Sequence, residues 1–279
     1  MTAVRNGRDE IEMAESSAHE INIDIGGVPI LVRTESREFY QILQNRFGRF
    51  VNAAASPVFA LEADVVPIGK ITYEEELRVR FAGGRWVLQR GDFYAEIDLA
   101  SCRGMIRQAA NPYGIDAALR IVHSLLLAQQ GGLLVHAASA VRNVRAFVFA
   151  GVSGVGKTTL ARLTPPDAAL LTDEISYLRR NGDGYIAYGT PFAGELGEPG
   201  ENVRAPLAAL YLLAQGSENK IEPVEQAQAV RSLLANVLFF ADDPELVARV
   251  FDSACELVER VPVRRLTFVP DYRVWELIV

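Results

Sequence analysis

From Ile21 to about Asn111, apolar and polar residues mostly alternate at a step of two. Residues 21–25 and 28–32 flank Gly26-Gly27, residues 77–81 and 86–88 flank Gly83-Gly84, and Tyr94, Ile97 and Leu99 follow a turn at Gly91-Asp92. Alternation punctuated by such pairs predicts hairpins. One segment keeps a different step. Phe39, Leu43, Phe47 and Phe50 recur every three or four positions within residues 38–50, which predicts one helix lying on that sheet. No catalytic grouping stands in this half. Residues 1–20 carry charges of both signs and no apolar run, so they are expected to form a disordered arm and not a secretory signal.

Asn111-Pro112 breaks the alternation and sets an expected domain boundary near residue 111, with a β-rich α+β domain over residues 21–111 and a second domain over 112–279. Residues 115–130 then repeat apolar positions at helical spacing and stop at Gly131-Gly132, a helix with a glycine C-terminal signal. Strands are predicted at 133–140 and 144–150 around a turn at Arg142-Asn143, at 168–172 and 176–180, and at 185–188 after the turn Asn181-Gly-Asp-Gly184. An apolar run at 208–214 precedes two amphipathic helices, residues 225–240 and a second opened by Asp243-Pro244, and a last strand at 263–268. Strands and helices mixed in this way predict an α/β mixed-sheet domain after residue 111.

Composition narrows the function without naming it. The chain has 279 residues, 49% hydrophobic and 23% charged, enough for about two ordinary folded domains. Its formal net charge of −7 argues against a nucleic-acid partner. Residues 121–141 hold no Asp, Glu, Lys or Arg, yet Gln129, Gln130, Gly131, Gly132, His123 and His136 interrupt them, so a membrane span is not expected. Cys102 and Cys255 have no second thiol or histidine at ligand spacing and are expected to be buried free thiols of a cytoplasmic protein.

Residues 151–158 read Gly-Val-Ser-Gly-Val-Gly-Lys-Thr and satisfy G-x-x-x-x-G-K-[ST] at every fixed position, directly after the apolar run that ends at Ala150. The chain has only three lysines, Lys70, Lys157 and Lys220, so a motif that demands one is informative. Gly151, Gly154 and Gly156 let the backbone close on phosphates at a helix N-terminus, where its N–H groups and dipole favour anions; Ser153, Val155 and Thr159 belong to the same wrap. Lys157 is expected to reach the β- and γ-phosphates of ATP, and Thr158 to ligate Mg²⁺. A GTPase reading has only Asn219-Lys220-Ile221-Glu222 behind it, with Glu in place of the base-reading Asp. Asp173-Glu174 follows the next strand, 16 residues after Lys157, where a short strand-loop-helix-strand unit brings both carboxylates to the phosphate site. A charged turn at a strand end is the other reading of that pair.

Taken in order, Leu134-Val-His136, residues 151–158, Leu171-Thr-Asp-Glu174 and the hairpin after it resemble the C-terminal catalytic domain of HPr kinase/phosphorylase and the HPr-kinase-like serine kinases, whose fold is shared with phosphoenolpyruvate carboxykinases. Looser similarity runs through Gly189-Thr-Pro-Phe192 and Arg204-Ala-Pro-Leu207, and the whole covers about residues 112–279. The resemblance implies that His136 is the active-site histidine, that Asp173 takes the proton of the acceptor hydroxyl, and that Glu174, where the family usually has a second Asp, joins Thr158 at the metal. Glu195, within Gly194-Glu-Leu-Gly197, is a further metal candidate, and Arg204 a candidate phosphate clamp. HPr kinases form hexamers, so a homo-oligomer is compatible with the resemblance. The N-terminal half does not resemble the HPr kinase N-terminal domain.

The expectation is an ATP-dependent kinase that passes the γ-phosphate to a hydroxyl, in first place a serine of a peptide, protein or small metabolite, with Asp173, His136 and Lys157 as the catalytic group. The N-terminal domain would choose the acceptor, and a biosynthetic precursor peptide is one such acceptor. A nucleotide-binding module that docks a partner without catalysis is the alternative.

Overall fold

The computed structural model describes residues 18–67 and 76–278. The protein is a mixed α/β protein with two mixed sheets. The arm expected at residues 1–20 lies outside the described residues except at its end, where His19 and Glu20 already belong to the first strand, β1 (His19–Ile25).

The first sheet opens as the alternation predicts. β1 pairs antiparallel with β2 (Val28–Thr34) across Gly26-Gly27, both at positive φ. The chain then departs from a plain run of hairpins. α1 (Arg37–Phe47), capped by Ser36 Oγ accepting from Phe39 N, crosses to β3 (Phe59–Val65), which lies parallel to β2. β4 (Arg78–Ala82), β5 (Arg85–Arg90) and β6 (Phe93–Asp98) form a meander, and β7 (Arg103–Gln108) returns between β6 and β3, parallel to the latter. β3 and β7 are strands that the glycine punctuation did not mark. The predicted helix stops at Phe47 and ends in a 3₁₀ turn, Gly48–Phe50, which still buries Phe50 with Phe39, Leu43 and Phe47. Each such buried side chain contributes about 1.5–3 kcal/mol of transfer free energy.

The second sheet is organised around one long strand, β8 (Leu133–Arg142). On one side β9 (Arg145–Ala150) pairs antiparallel with it, from Arg145 opposite Arg142 to Ala150 opposite Ala137. Their turn is Asn143-Val144, one residue later than expected, with both residues in the left-handed region that a tight two-residue hairpin requires. On the other side β10 (Ala168–Thr172) and β11 (Ile175–Asn181) follow one another along β8, Thr172 opposite Ser139 and Ile175 opposite His136. β12 (Gly184–Tyr188) and β13 (Arg204–Gln215) continue from β11, and β13 runs parallel to β9. The pairings β8 to β11, β12, β13, β9 and back to β8 therefore close a ring. β15 (Val263–Phe268) and β14 (Lys220–Pro223) extend the sheet beyond β13.

Three further α-helices follow α2 (Tyr113–Gln130), which ends as predicted with Gly131 in the left-handed conformation, and a 3₁₀ helix, Tyr272–Glu276, closes the described residues. The three are α3 (Lys157–Arg162), α4 (Gln226–Leu234) and α5 (Pro244–Arg260). Asp243 caps α5 by accepting from Leu246 N at 2.9 Å, as its Asp-Pro start implies. The helix expected over 225–240 is shorter than its periodicity. It ends at Leu234 because residues 236–238 are taken by β8: Asn236 O accepts from His136 N at 2.7 Å, and Leu238 N donates to Leu134 O at 2.8 Å.

α2 packs against β6 and β7 of the first sheet and against β8, β11 and α5 of the second. One buried apolar cluster consequently runs from Ile23 and Phe39 through Leu119 and Val122 to Leu134 and Tyr177. The two halves also meet at the β1–β2 turn, where Gly26 lies against the Tyr177 ring and its carbonyl accepts from Arg179 Nη1 at 2.6 Å. His123 is fully buried with its Nδ1 3.1 Å from Tyr177 Oη. The cysteines correct an expectation: both are free, but Cys102 is exposed in the β6–β7 turn and Cys255 only half-buried. No helix among the described residues is long and apolar enough to cross a membrane.

Candidate functional site

The geometry of the site follows from β8. Because β10 and β11 lie along the same side of it in succession, the two residues between them, Asp173 and Glu174, fall opposite Ala138 and Ala137, next to His136, and Ala137 N donates to Glu174 O at 2.9 Å. Across the strand, β9 ends at Ala150 opposite the same Ala137, so the glycine-rich loop starts there. One short stretch of β8 thus holds the loop on its one side and the acidic pair on its other, with His136 between. These elements enclose a cavity of ≈ 250 Å³ lined by His136, Ser153, Gly154, Gly156, Lys157, Thr158, Thr159, Asp173, Glu174, Gly194 and Glu195.

The loop turns sharply before α3. Gly154 and Gly156 have φ of 77° and 113°, where only glycine is at ease, and a Cβ at Gly156 would stand 2.7 Å from the Phe268 ring. Val155 is buried beneath the loop, and a Cβ on Gly151 would meet it. Lys157 is buried, and its Nζ donates to Gly151 O at 2.8 Å and Val152 O at 3.2 Å. Burial pulls its pKa below the ordinary lysine value, and the negative charge of Glu195 opposes that shift.

The acids are held differently. Asp173 is buried, and its two carboxylate oxygens accept from Gly194 N and Leu196 N, each at 2.9 Å. That pair of bonds pins the tip of the 189–203 segment, which carries the exposed Glu195 over the cavity. Gly194 fits only because it lacks a side chain: a Cβ would lie 2.9 Å from both Asp173 Oδ2 and Glu174 Cβ. Glu174 is half-buried and meets Arg120 Nη2 at 3.3 Å. Burial raises its pKa, with Arg120 working in the opposite direction. Burial chiefly, and then the positive charges of Lys157 and Arg120, push the His136 pKa down, which favours a neutral imidazole.

Among the described residues no group of three His, Cys, Asp or Glu side chains is spaced to hold a metal ion unaided. Mg²⁺ does not require one, since it takes one or two carboxylates and completes its shell with water and substrate phosphate oxygens. The hard oxygens of Thr158, Asp173, Glu174 and Glu195 around one cavity are the donor type that fits it.

Most residues singled out from sequence meet here, but Arg204 does not. It lies exposed at the start of β13 with its guanidinium over the Tyr188 ring, 5.9 Å from the centroid, outside this lining. The cation beside the acids is instead Arg120, which the sequence reading passed over. Its Nε is 2.8 Å from Asp116 Oδ2, and its guanidinium stands 5.1 Å from the centroid of the Phe192 ring. Asp116 in turn binds Arg46 at 2.9 Å. The available signal was the Asp116/Arg120 spacing of four on a predicted helix, a feature shared with many surface pairs.

A family model described as SynChlorMet cassette protein ScmC matches residues 112–278. Among solved structures, the Hpr(Ser) kinase/phosphatase from Coxiella burnetii is similar over 43% of this chain and 87% of that chain, with 12% sequence identity and a TM-score of 0.25. No curated protein matches the sequence.

Proposed function

The chain belongs to the SynChlorMet cassette protein ScmC family, and on that premise we propose that it is an ATP-dependent kinase of the cytoplasm, transferring the γ-phosphate to a serine hydroxyl of a peptide, protein or small metabolite. The observation that carries this reading is the single cavity in which the residues of a phosphate-loop motif face two carboxylates and a histidine across β8. The sequence resemblance to HPr-kinase-like serine kinases supports it at the same positions.

The residues divide the work by their chemistry. The backbone of Ser153, Gly154 and Gly156 at the head of α3 offers N–H groups to phosphate oxygens. The Lys157 ammonium, now shared between two loop carbonyls, has one N–H still to give to a phosphate. Thr158 and Glu174, with Glu195, would hold Mg²⁺, which neutralises charge on the phosphates when bound. The serine Oγ attacks the γ-phosphorus, the bond from that phosphorus to the β–γ bridging oxygen breaks, and its electron pair leaves with ADP. The serine proton passes to the Asp173 carboxylate, which has lone pairs beyond the two that accept from Gly194 and Leu196. His136, kept neutral, can hydrogen-bond the reacting groups without adding a charge.

A second reading rests on those same two bonds. If Asp173 serves only to pin the 194–196 tip, the cavity binds nucleotide and the protein is a binding module that docks a partner. Incubation of the full chain with γ-labelled ATP, Mg²⁺ and cell extract separates the two. The kinase reading expects label on an acceptor; bound ATP that stays intact favours the module, and label found only as free phosphate counts against the kinase reading.

A further inference from the structure

A second cavity, ≈ 520 Å³, lies on the far side of the Arg120–Glu174 ion pair and is lined by Arg90, Asp92, Tyr113, Asp116, Ala117 and Arg120. Arg120 is the shared wall. Arg120 lines this second cavity, and its Nη2 meets Glu174, which lines the first. A ligand seated here stands next to the acidic pair without passing the glycine-rich loop. The walls come from both halves of the chain, Arg90 and Asp92 from the β5–β6 turn and the others from α2.

The acids on these walls have arginine partners, and the arginines keep donors to spare. Both oxygens of Asp92 accept from Arg90, one oxygen of Asp116 accepts from Arg46, and the other faces Arg120. Both carboxylates are therefore already paired with arginines. Among the described residues, Nη1 of Arg90 and Nη1 of Arg120 make no hydrogen bond, so guanidinium N–H groups remain to be used. Such a site takes a ligand rich in oxygen acceptors, and carboxylates match guanidinium edges best. The cavity is about twice the volume of the first, more than one amino acid fills, and the exposed Tyr113 ring stands at its rim.

We propose that this cavity is the acceptor subsite and that it holds the acidic flank of a serine-bearing peptide segment, presenting the serine hydroxyl to Asp173 for the transfer described above. The inference rests on the kinase reading and gives the first sheet a direct share in substrate choice.

The test uses the full chain with Mg²⁺, γ-labelled ATP and serine-centred synthetic peptides in three sets, flanked by Asp and Glu, by Gly and Ala, or by Lys and Arg, with free serine as a fourth arm. Labelling of the acidic set is expected to exceed every other arm by about tenfold, the scale of one charge-assisted hydrogen bond. Tyr113→Ala, at an exposed side chain, and Arg90→Lys, which keeps the charge but not the bidentate geometry, should each raise the KM for the acidic peptide by about tenfold. The KM for ATP should stay within about twofold. Equal or better labelling of the neutral set, the basic set or free serine overturns the proposal, as does an unchanged peptide KM in both variants. Failure at the two levels is distinguishable. A protein that phosphorylates some other species but none of the acidic peptides refutes the subsite alone, whereas one that binds no ATP refutes the kinase reading with it.

Discussion

Lys157 donates to two carbonyls of its own loop, so its removal acts twice: the loop loses the donor that closes it, and a phosphate loses a cation. Lys157→Ala should weaken ATP binding by at least about tenfold, the worth of one hydrogen bond to a charged group. Titration calorimetry showing unchanged affinity would remove the loop from the site. Asp173→Asn is a sharper instrument. An amide has one acceptor oxygen where the carboxylate has two, so either Gly194 N or Leu196 N is left facing an NH₂ group. Turnover should fall by about 10² for loss of the proton acceptor, with ATP affinity within a few fold, while amide exchange at Gly194 and Leu196 quickens. Fast exchange together with wild-type turnover would make Asp173 a latch and nothing more. At this scale the sequence was most legible where chemistry restricts the residue type, as at Gly156, Lys157 and Asp173. Arg120 was hidden because one partner lies on its own helix, at a spacing many surface pairs share, and the other in the turn after β10, which no local spacing joins to it.

The element that best separates local preference from tertiary demand is α4. Residues 225–240 carry a helical apolar period, but Asn236 and Leu238 are worth more as partners of β8 than as another helical turn, since they satisfy His136 N and Leu134 O at its otherwise open side. Leu238→Pro deletes the N–H given to Leu134 O. It should cost about 1–3 kcal/mol, the penalty of a buried carbonyl left without its donor, and should speed exchange of the His136 amide. Urea unfolding and hydrogen exchange both read this, and an unaltered His136 amide would show that the segment is held by its side chains alone. β7 illustrates the opposite limit. Its sequence, Arg-Gly-Met-Ile-Arg-Gln, holds too few apolar positions to show a period of two, and it is a strand because β3 and β6 flank it on both sides. The β1–β2 and β11–β12 hairpins were legible because their turns sit on glycines at positive φ.

For the molecule as a whole, the expected boundary near residue 111 falls just before a helix that both sheets share, and the buried centre of that junction is the His123–Tyr177 pair. Burial lowers the His123 pKa from 6.5 to about 3. The unfolded chain therefore binds a proton that the folded chain refuses, and this contribution to stability is complete above pH 6.5 and declines as the pH falls toward 3, by about 1.4 kcal/mol per unit. His136, also lowered, acts in the same sense; Glu174, whose pKa is raised, acts in the opposite sense just above the ordinary carboxylate range. Urea titrations at pH 7, 6 and 5 should show stability falling below pH 6.5, and a His123→Leu protein, weaker at every pH, should show a shallower slope. Equal slopes would mean that the histidine is not the source.

The closed ring of strands bears on which changes of length this chain can survive. β8 faces β9 along one side and β10 and β11 along the other, so it has no free side on which a slip could be taken up. Adding or deleting one residue within Leu133–Arg142 would turn every side chain beyond that point to the opposite face and move His136 out of step with both neighbours. Length variation among related chains should therefore collect at the exposed Val144 turn and the Asn181–Gly184 hairpin, and bypass the stretch around His136.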